Sequence, residues 1–474
     1  KENITITSNA PSQSSKEKII NQAFKFHSQG NISEAVKYYQ YFIDQGFKDH
    51  KVFTNYGNIL KDLGNLDAAE ILTRNAIKIR PEDAISHYNL GGILIVLGKL
   101  KEAEISTRKA IELKPDYIKA HYNLGNIYLS LGQLKEAEIS TRTAIKYKSD
   151  YAEAYFTLSQ IQLLKGNYKS GLENYEYRFK QNKPILPHAN TKIHRIRDEK
   201  LLQEKDLLII SEQGLGDTIQ FMRYIPYLRN QGFNISFCAQ KKLHSLIKAS
   251  AIESNPLIPD QANQVLNGHW IQLLSLPRYL KINPKNPIIT SPYIFSTAEL
   301  IKKWRDILNT EERPIIGINW QGNANAENGS ILLGRSFPLE TFSKIARNND
   351  IKFLSLQKGF GSEQLDHCSF KNKFVKCQPQ INSTWDFLEN AAIIQNCDLI
   401  ITCDTSIAHL AGGMGKSTWT LLNCCPEWRW GNEGESIFWY PSMRLFRQKN
   451  LNDWNEVMMR VSSELKKEIE KDTI

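Results

Sequence analysis

The sequence predicts an α-solenoid followed by an α/β region built in two similar halves. Two observations carry this. Small residues recur every 34 positions through the first third of the chain: Gly57, Gly91 and Gly125; Gly30, Gly64, Gly98, Gly132 and Gly166; Ala35, Ala69, Ala103 and Ala137, with Gly171 in the next place. Beyond residue 204, short apolar runs alternate with helical periodicity, the pattern of parallel strands joined by helices.

The 474 residues suffice for two or three domains. A net charge of +10 and a pI near 9.0 suit an anionic ligand or a mildly acidic partner. The basic residues are scattered, with no dense run interleaved with aromatics, so no nucleic-acid partner is expected. Cysteines number seven, an odd count. Cys238, Cys397, Cys403, Cys424 and Cys425 lie in or beside apolar runs, which fits free thiols in a reducing compartment. No apolar run reaches the ~18 residues of a transmembrane segment. No signal-like core opens the chain, and its Lys1 start leaves room for a short upstream piece. The expected location is cytoplasmic.

In chain order, residues 1–16 are Ser/Asn/Thr-rich and read as a disordered N-terminus. Residues 17–182 hold about four full repeats and a divergent first one. The best-matched pair is HYNLGGILIVLGKLKEAEISTRKAIELKP and HYNLGNIYLSLGQLKEAEISTRTAIKYKS. With Tyr88 and Tyr122 at like positions and Pro81 and Pro115 closing two units, this resembles the tetratricopeptide repeat. Stacked hairpins share one core and leave a groove that commonly holds a protein or peptide. The other reading is that the array only makes a homodimer or props up the α/β region.

Residues 183–204, with Pro184 and Pro187, read as a linker. The first α/β half covers 205–295. Its Leu207–Ile210 strand leads into a tight turn, GluGlnGlyLeuGlyAsp at 212–217, and a helix over Thr218–Leu228. Further alternation runs through Ile235–Ala239, Leu243–Ala249 and Ile271–Leu274. The second half covers 296–474. It has a charged helix at Thr297–Thr310, a strand at 314–320, a loop at 321–330, a helix near Leu339–Arg347, a strand at Phe353–Gln357 and a helix at Trp385–Gln395. A Lys/Glu-rich helix over 453–471 closes the chain.

The most informative stretch is DLIITCDTSIAHLAGGMG, residues 398–415. Asp398–Cys403 reads as a buried strand, and Asp404, Thr405 and Ser406 are helix-capping types. Ile407, Ala408, Leu410 and Ala411 form one helical face, Gly412, Gly413 and Gly415 end it, and Trp419–Leu422 is the next strand. The first N–H groups of such a helix lack partners and can seat phosphate oxygens, with the Thr405 and Ser406 hydroxyls beside them. His409, one turn on, can face the same ligand. A well-capped buried helix with a core-edge histidine is the plain alternative.

Other motifs fail. GlyLysSer at 415–417 would need glycine at 410 to be a triphosphate loop, and Leu410 stands there. GlyLeuGlyAsp at 214–217 would need a third glycine at 219 for a dinucleotide fingerprint, where Ile219 stands. No His/Cys zinc spacing, Asp-x-Asp pair or Gly-x-Ser-x-Gly elbow is present, so no metal is expected.

EQGLGDTIQFMRYIPYL (212–228) with DLIITCDTSIAHLAGGMGK (398–416) resembles glycosyltransferase family nine, the ADP-heptose:lipopolysaccharide heptosyltransferases. The resemblance is strongest to bacterial proteins that join such a domain to tetratricopeptide repeats; RSFPLETF (335–342), PEWRW (426–430) and WYPSMRLFRQ (439–448) extend it. It implies a GT-B fold of two Rossmann-like lobes, acceptor on the first and nucleotide-sugar on the second. It implies transfer of a sugar from a nucleotide-diphosphate donor to an acceptor hydroxyl, with no cofactor and no metal. Asp217 would be the catalytic base, in a loop with Gln213, Gly214 and Gly216 on the acceptor side. Arg335, Asp404, Thr405, Ser406 and His409 would bind the donor. Arg335 stands where the family typically has lysine, keeping charge but changing geometry. Asp217 has a structural alternative, capping the helix that starts at Thr218. Trp428 and Trp430 are expected to pack rather than bind. A scaffold whose α/β region binds a nucleotide-sugar without turnover is the rival to an enzyme, and an epimerase is a third reading.

Overall fold

Each 34-residue period folds as a helical hairpin, and each ladder of small residues has its own physical cause. The computed structural model describes residues 13–196, 205–323, 334–348 and 350–471. Gly30, Gly64, Gly98, Gly132 and Gly166 follow the first helix of each pair with φ between 72° and 82°, the left-handed turn that ends a helix cheaply only at glycine. Gly57, Gly91 and Gly125 lie where the two helices of a pair cross. A Cβ there would come 2.4–2.6 Å from the Thr73, Thr107 or Thr141 hydroxyl. Ala35, Ala69, Ala103 and Ala137 are fully buried.

Two compact units result, Lys1–Tyr151 and Ala152–Ile474. In the first, four hairpins pair Gln13–Ser28 with Ile32–Asp44, His50–Asp62 with Leu66–Ile79, Ala84–Val96 with Leu100–Leu113, and Ile118–Ser130 with Leu134–Tyr147. The opening helix begins at Gln13, inside the segment expected to be disordered; residues 1–12 lie outside the described residues. Asp49 and Asp83 cap first helices, and Asn31 and Asn65 cap second helices, each through a side-chain oxygen on a backbone N–H. Ion pairs bridge successive repeats, Arg74 to Glu102 at 2.6 Å and Lys99 to Glu70 at 2.8 Å.

The fifth hairpin, Ala152–Leu164 with Tyr168–Tyr175, belongs to the second unit. The reason is visible in the turn after it. Arg178 is wholly buried and donates to Glu212 at 2.8 Å, itself wholly buried, and to Ser275 Oγ at 2.8 Å. Burial opposes its charge, but Glu212 and Glu176 outweigh that and hold the guanidinium protonated. Residues 183–196, expected as linker, also pack here. His188 N–H donates to Ser211 O at 2.9 Å, and β1 (His194–Arg195) adds an edge strand. Residues 197–204, the rest of that linker, lie outside the described residues.

The first α/β half is a parallel sheet of β1, β2 (Asp206–Ile210), β3 (Asn234–Cys238) and β4 (His269–Gln272), in the order β1-β4-β2-β3. The second is a parallel sheet of β5 (Ile315–Asn319), β6 (Lys352–Ser355), β7 (Leu399–Cys403), β8 (Thr418–Leu422) and β9 (Met443–Arg447), in the order β6-β5-β7-β8-β9. Every residue of β5, β7 and β8 is buried, as a sheet covered on both faces requires. One cover is the closing helix, Trp454–Glu470, whose Val457, Met458, Val461 and Leu465 join Ile316, Ile318 and Leu421 in the core.

Candidate functional site

In an open parallel sheet, ligands gather at the carboxyl ends of the strands, where the winding reverses. In the second sheet the reversal lies between β5 and β7. A polar network fills it. Thr405 Oγ1 donates to Asn319 Oδ1 at 2.8 Å, and Asn319 Nδ2 donates to Gln357 Oε1 at 2.7 Å. Gln357 Nε2 in turn holds Phe360 O at 2.8 Å and Gln321 O at 3.1 Å. The Ser406–Gly413 helix begins here. Thr405 is its N-cap in extended backbone, but its hydroxyl serves Asn319 instead of the helix. The Thr405 hydroxyl, expected beside a ligand, donates to Asn319, and the first turn keeps no side-chain cap among the described residues.

The first sheet reverses around β2, and the Leu215–Phe221 helix starts at that point. It begins three residues before the expected Thr218. It also breaks at Met222–Arg223 before Tyr224–Asn230, so the single helix expected over 218–228 is two. Gln213, at φ 61°, donates to Tyr175 Oη at 3.0 Å. Gly214 is the N-cap, its N–H donating to Asp217 Oδ2 at 2.8 Å. Asp217 thus caps its helix, as one reading expected, from inside its first turn.

The same carboxylate also reaches the other lobe. Its Oδ1 pairs with Arg429, whose Nη1 bonds Glu427 Oε1 at 2.9 Å. Gly216 lies against the first turn of the Ser406–Gly413 helix: a Cβ on it would come 2.9 Å from His409 Cδ2 and 3.3 Å from Ser406 Cα. The turn at 212–217 and the stretch at 404–409, far apart along the chain, therefore meet at one junction.

Electrostatics there are tightly balanced. Burial opposes the Arg429 charge, but Glu427 and Asp217 overcome it and hold the guanidinium protonated. Burial pushes Glu427 up to about 7 against the pull of Arg429. Burial also raises Asp404, opposed by Arg335 and Arg429. His409 does not face an open cleft. It is buried, its Nδ1 bonds Tyr440 Oη at 3.0 Å, and its ring stacks on Trp430 at 5.1 Å. Burial, then Arg429 and Arg223, hold it neutral, well below the ordinary imidazole range.

Of the residues picked from the sequence, Gly216, Asp217, Arg335, Asp404, Ser406 and His409 come together, with Thr405 at the edge. Gly214 touches the group through its N–H on Asp217, while the Gln213 side chain bonds Tyr175. Sequence reasoning misses Glu427 and Arg429. Their only signal is charge set between apolar neighbours in PEWRW, where the two tryptophans draw the eye. Trp428 and Trp430 are buried, as expected. Among the described residues no cluster of His, Cys, Asp or Glu could hold a metal ion, all seven cysteines are free thiols, and no helix is long and apolar enough to cross a membrane. Part of the 321–330 loop, residues 324–330, lies outside the described residues.

Comparisons with known proteins bear mainly on the repeats. A tetratricopeptide-repeat model matches residues 50–83 and 118–151, and a TPR-repeat model matches 93–132. The chain carries tetratricopeptide repeats. Protein FlbA of Caulobacter vibrioides is 25% identical over 329 residues, covering 64% of this chain and 53% of FlbA. That match takes in more of the chain than the repeat helices occupy, and the chain spans about half the relative's length. Among solved structures, MamA from Desulfovibrio magneticus RS-1 is 20% identical with a TM-score of 0.33, covering 35% of this chain and 97% of that one. TTC0263, a thermophilic TPR protein of Thermus thermophilus, is 18% identical with a TM-score of 0.30, covering 35% and 91%.

Proposed function

We propose that the α/β region is a GT-B glycosyltransferase resembling family nine, using a nucleotide-diphosphate sugar, and that the repeats recruit a protein or peptide acceptor. One observation carries this reading. Asp217, from the winding reversal of the first sheet, meets the second lobe beside the uncapped first turn of the helix that follows β7. That turn and Arg335 are suited to the charge that grows on a departing diphosphate, without metal. The acceptor oxygen attacks the sugar carbon, the bond to the diphosphate breaks, and the acceptor proton passes to Asp217. Arg429 occupies one Asp217 oxygen, so an acceptor hydroxyl has to share or displace that contact.

A screen of nucleoside diphosphates and their sugars by thermal shift tests the donor half, because a ligand that binds only the folded state raises its melting temperature. One donor should stabilise the protein, and its diphosphate should be released when acceptor is supplied. Asp217→Asn should lower release by roughly 100- to 10,000-fold while leaving donor binding within about threefold. Binding without release, unchanged by Asp217→Asn, would favour the scaffold reading. Stabilisation by no donor at all would remove the transferase reading.

A further inference from the structure

The polar track that starts at Thr405 does not end at Gln357. Gln357 fixes the loop after β6 through Phe360 O, and Gly361 folds that loop over Gln321. From this loop Phe360 stands 60% exposed. Next to the loop is Trp385, 63% exposed; a Cβ on Gly359 would lie 3.8 Å from its Cη2. Five of the other tryptophans, Trp304, Trp320, Trp428, Trp430 and Trp439, are almost wholly buried. The residues on either side of Trp385 are tied down. Its neighbour Asp386 caps the Phe387–Gln395 helix and accepts from Ser245 of the first lobe. Beside it, the Lys358 ammonium donates to Ile381 O and, at 3.4 Å, to Thr384 Oγ1.

We propose that Trp385 and Phe360 are the platform on which the base of the donor nucleotide stacks. The inference rests on the donor reading above and adds where the base lies. Two large aromatic faces left in water at the end of a buried polar track match a ligand that is charged at one end and flat at the other. A nucleoside diphosphate has that chemistry: phosphates toward the helix that opens at Ser406, base toward Trp385. Stacking tolerates any base, because every base has a π face. The platform therefore sets affinity for a nucleotide over bare diphosphate.

The test uses the full chain, with adenosine, guanosine, uridine and cytidine diphosphates and inorganic diphosphate as separate calorimetric titrants. In Trp385→Ala the best nucleotide should bind roughly 5- to 100-fold more weakly, and Phe360→Ala should weaken it in the same direction. Trp385→Phe should stay within about threefold of the unaltered protein, because it keeps a stacking face. Inorganic diphosphate should bind all variants alike. Circular dichroism checks that each exposed-site variant is folded. If both alanine variants bind the nucleotide as the unaltered protein does, the base lies elsewhere and this inference fails while the donor reading stands. If the unaltered protein binds no nucleoside diphosphate, both fail.

Discussion

Glu427 is the residue whose surroundings differ most from what its sequence neighbours foretell. It sits among three other charged groups, Asp217, Asp404 and Arg429, and burial lifts its pKa from the ordinary 4.5 to about 7. The folded state therefore prefers the protonated acid. This contribution to stability is complete below about pH 4.5 and is lost as pH rises through 7. Glu427→Gln should raise the melting temperature at pH 8 and leave it nearly unchanged at pH 5. The gain at pH 8 should be of the order of 3 kcal/mol at most. An equal effect at both pH values would show that the residue acts through shape, not charge. Asp217 and Asp404 are legible in the sequence because each follows a strand and opens a helix, a local pattern. Arg429 is not, because what gives that residue its role is a partner 212 positions away. His409 is legible as a helix-face residue, but its burial under Gly216 depends on the other lobe.

Secondary elements are the most legible level, since period and capping are written locally. The three small-residue ladders locate the repeat hairpins, and the strands at 207–210, 235–239 and 398–403 fall within a residue or two of β2, β3 and β7. The ladders also give a sharp test of packing. Gly91→Ala would drive a methyl to 2.4 Å from Thr107 Oγ1, an overpacking that should cost about 1–3 kcal/mol in urea unfolding. Thr107 Oγ1 is buried without a hydrogen-bond partner among the described residues, so Thr107→Ala should cost little and should relieve much of the Gly91→Ala penalty. Additive losses in the double variant would sink this account. The break at Met222–Arg223 is not legible, because Thr218–Leu228 keeps helical periodicity throughout. Tertiary contacts explain it: Arg223 is buried and donates to Trp439 O at 2.8 Å and Tyr293 Oη at 3.1 Å.

At the scale of the molecule, composition shifts mark the end of the repeats near 182, but the compact unit begins at Ala152. The sequence period runs on through the fifth hairpin, altered only where Ser159 and Gly171 replace a ladder glycine and alanine, whereas the partner of Arg178 lies at Glu212, in the next fold. A fragment beginning at Ala152 should fold cooperatively. One beginning at Lys183 loses Arg178 and leaves Glu212 buried without its cation, which should cost about 3–5 kcal/mol. Equal urea midpoints for the two fragments would refute the role given to this pair. Whoever grafts a foreign repeat array onto this chain has to splice between Tyr151 and Ala152. The terminal hairpin is then inherited with the α/β half, as a foundation course stays with its wall.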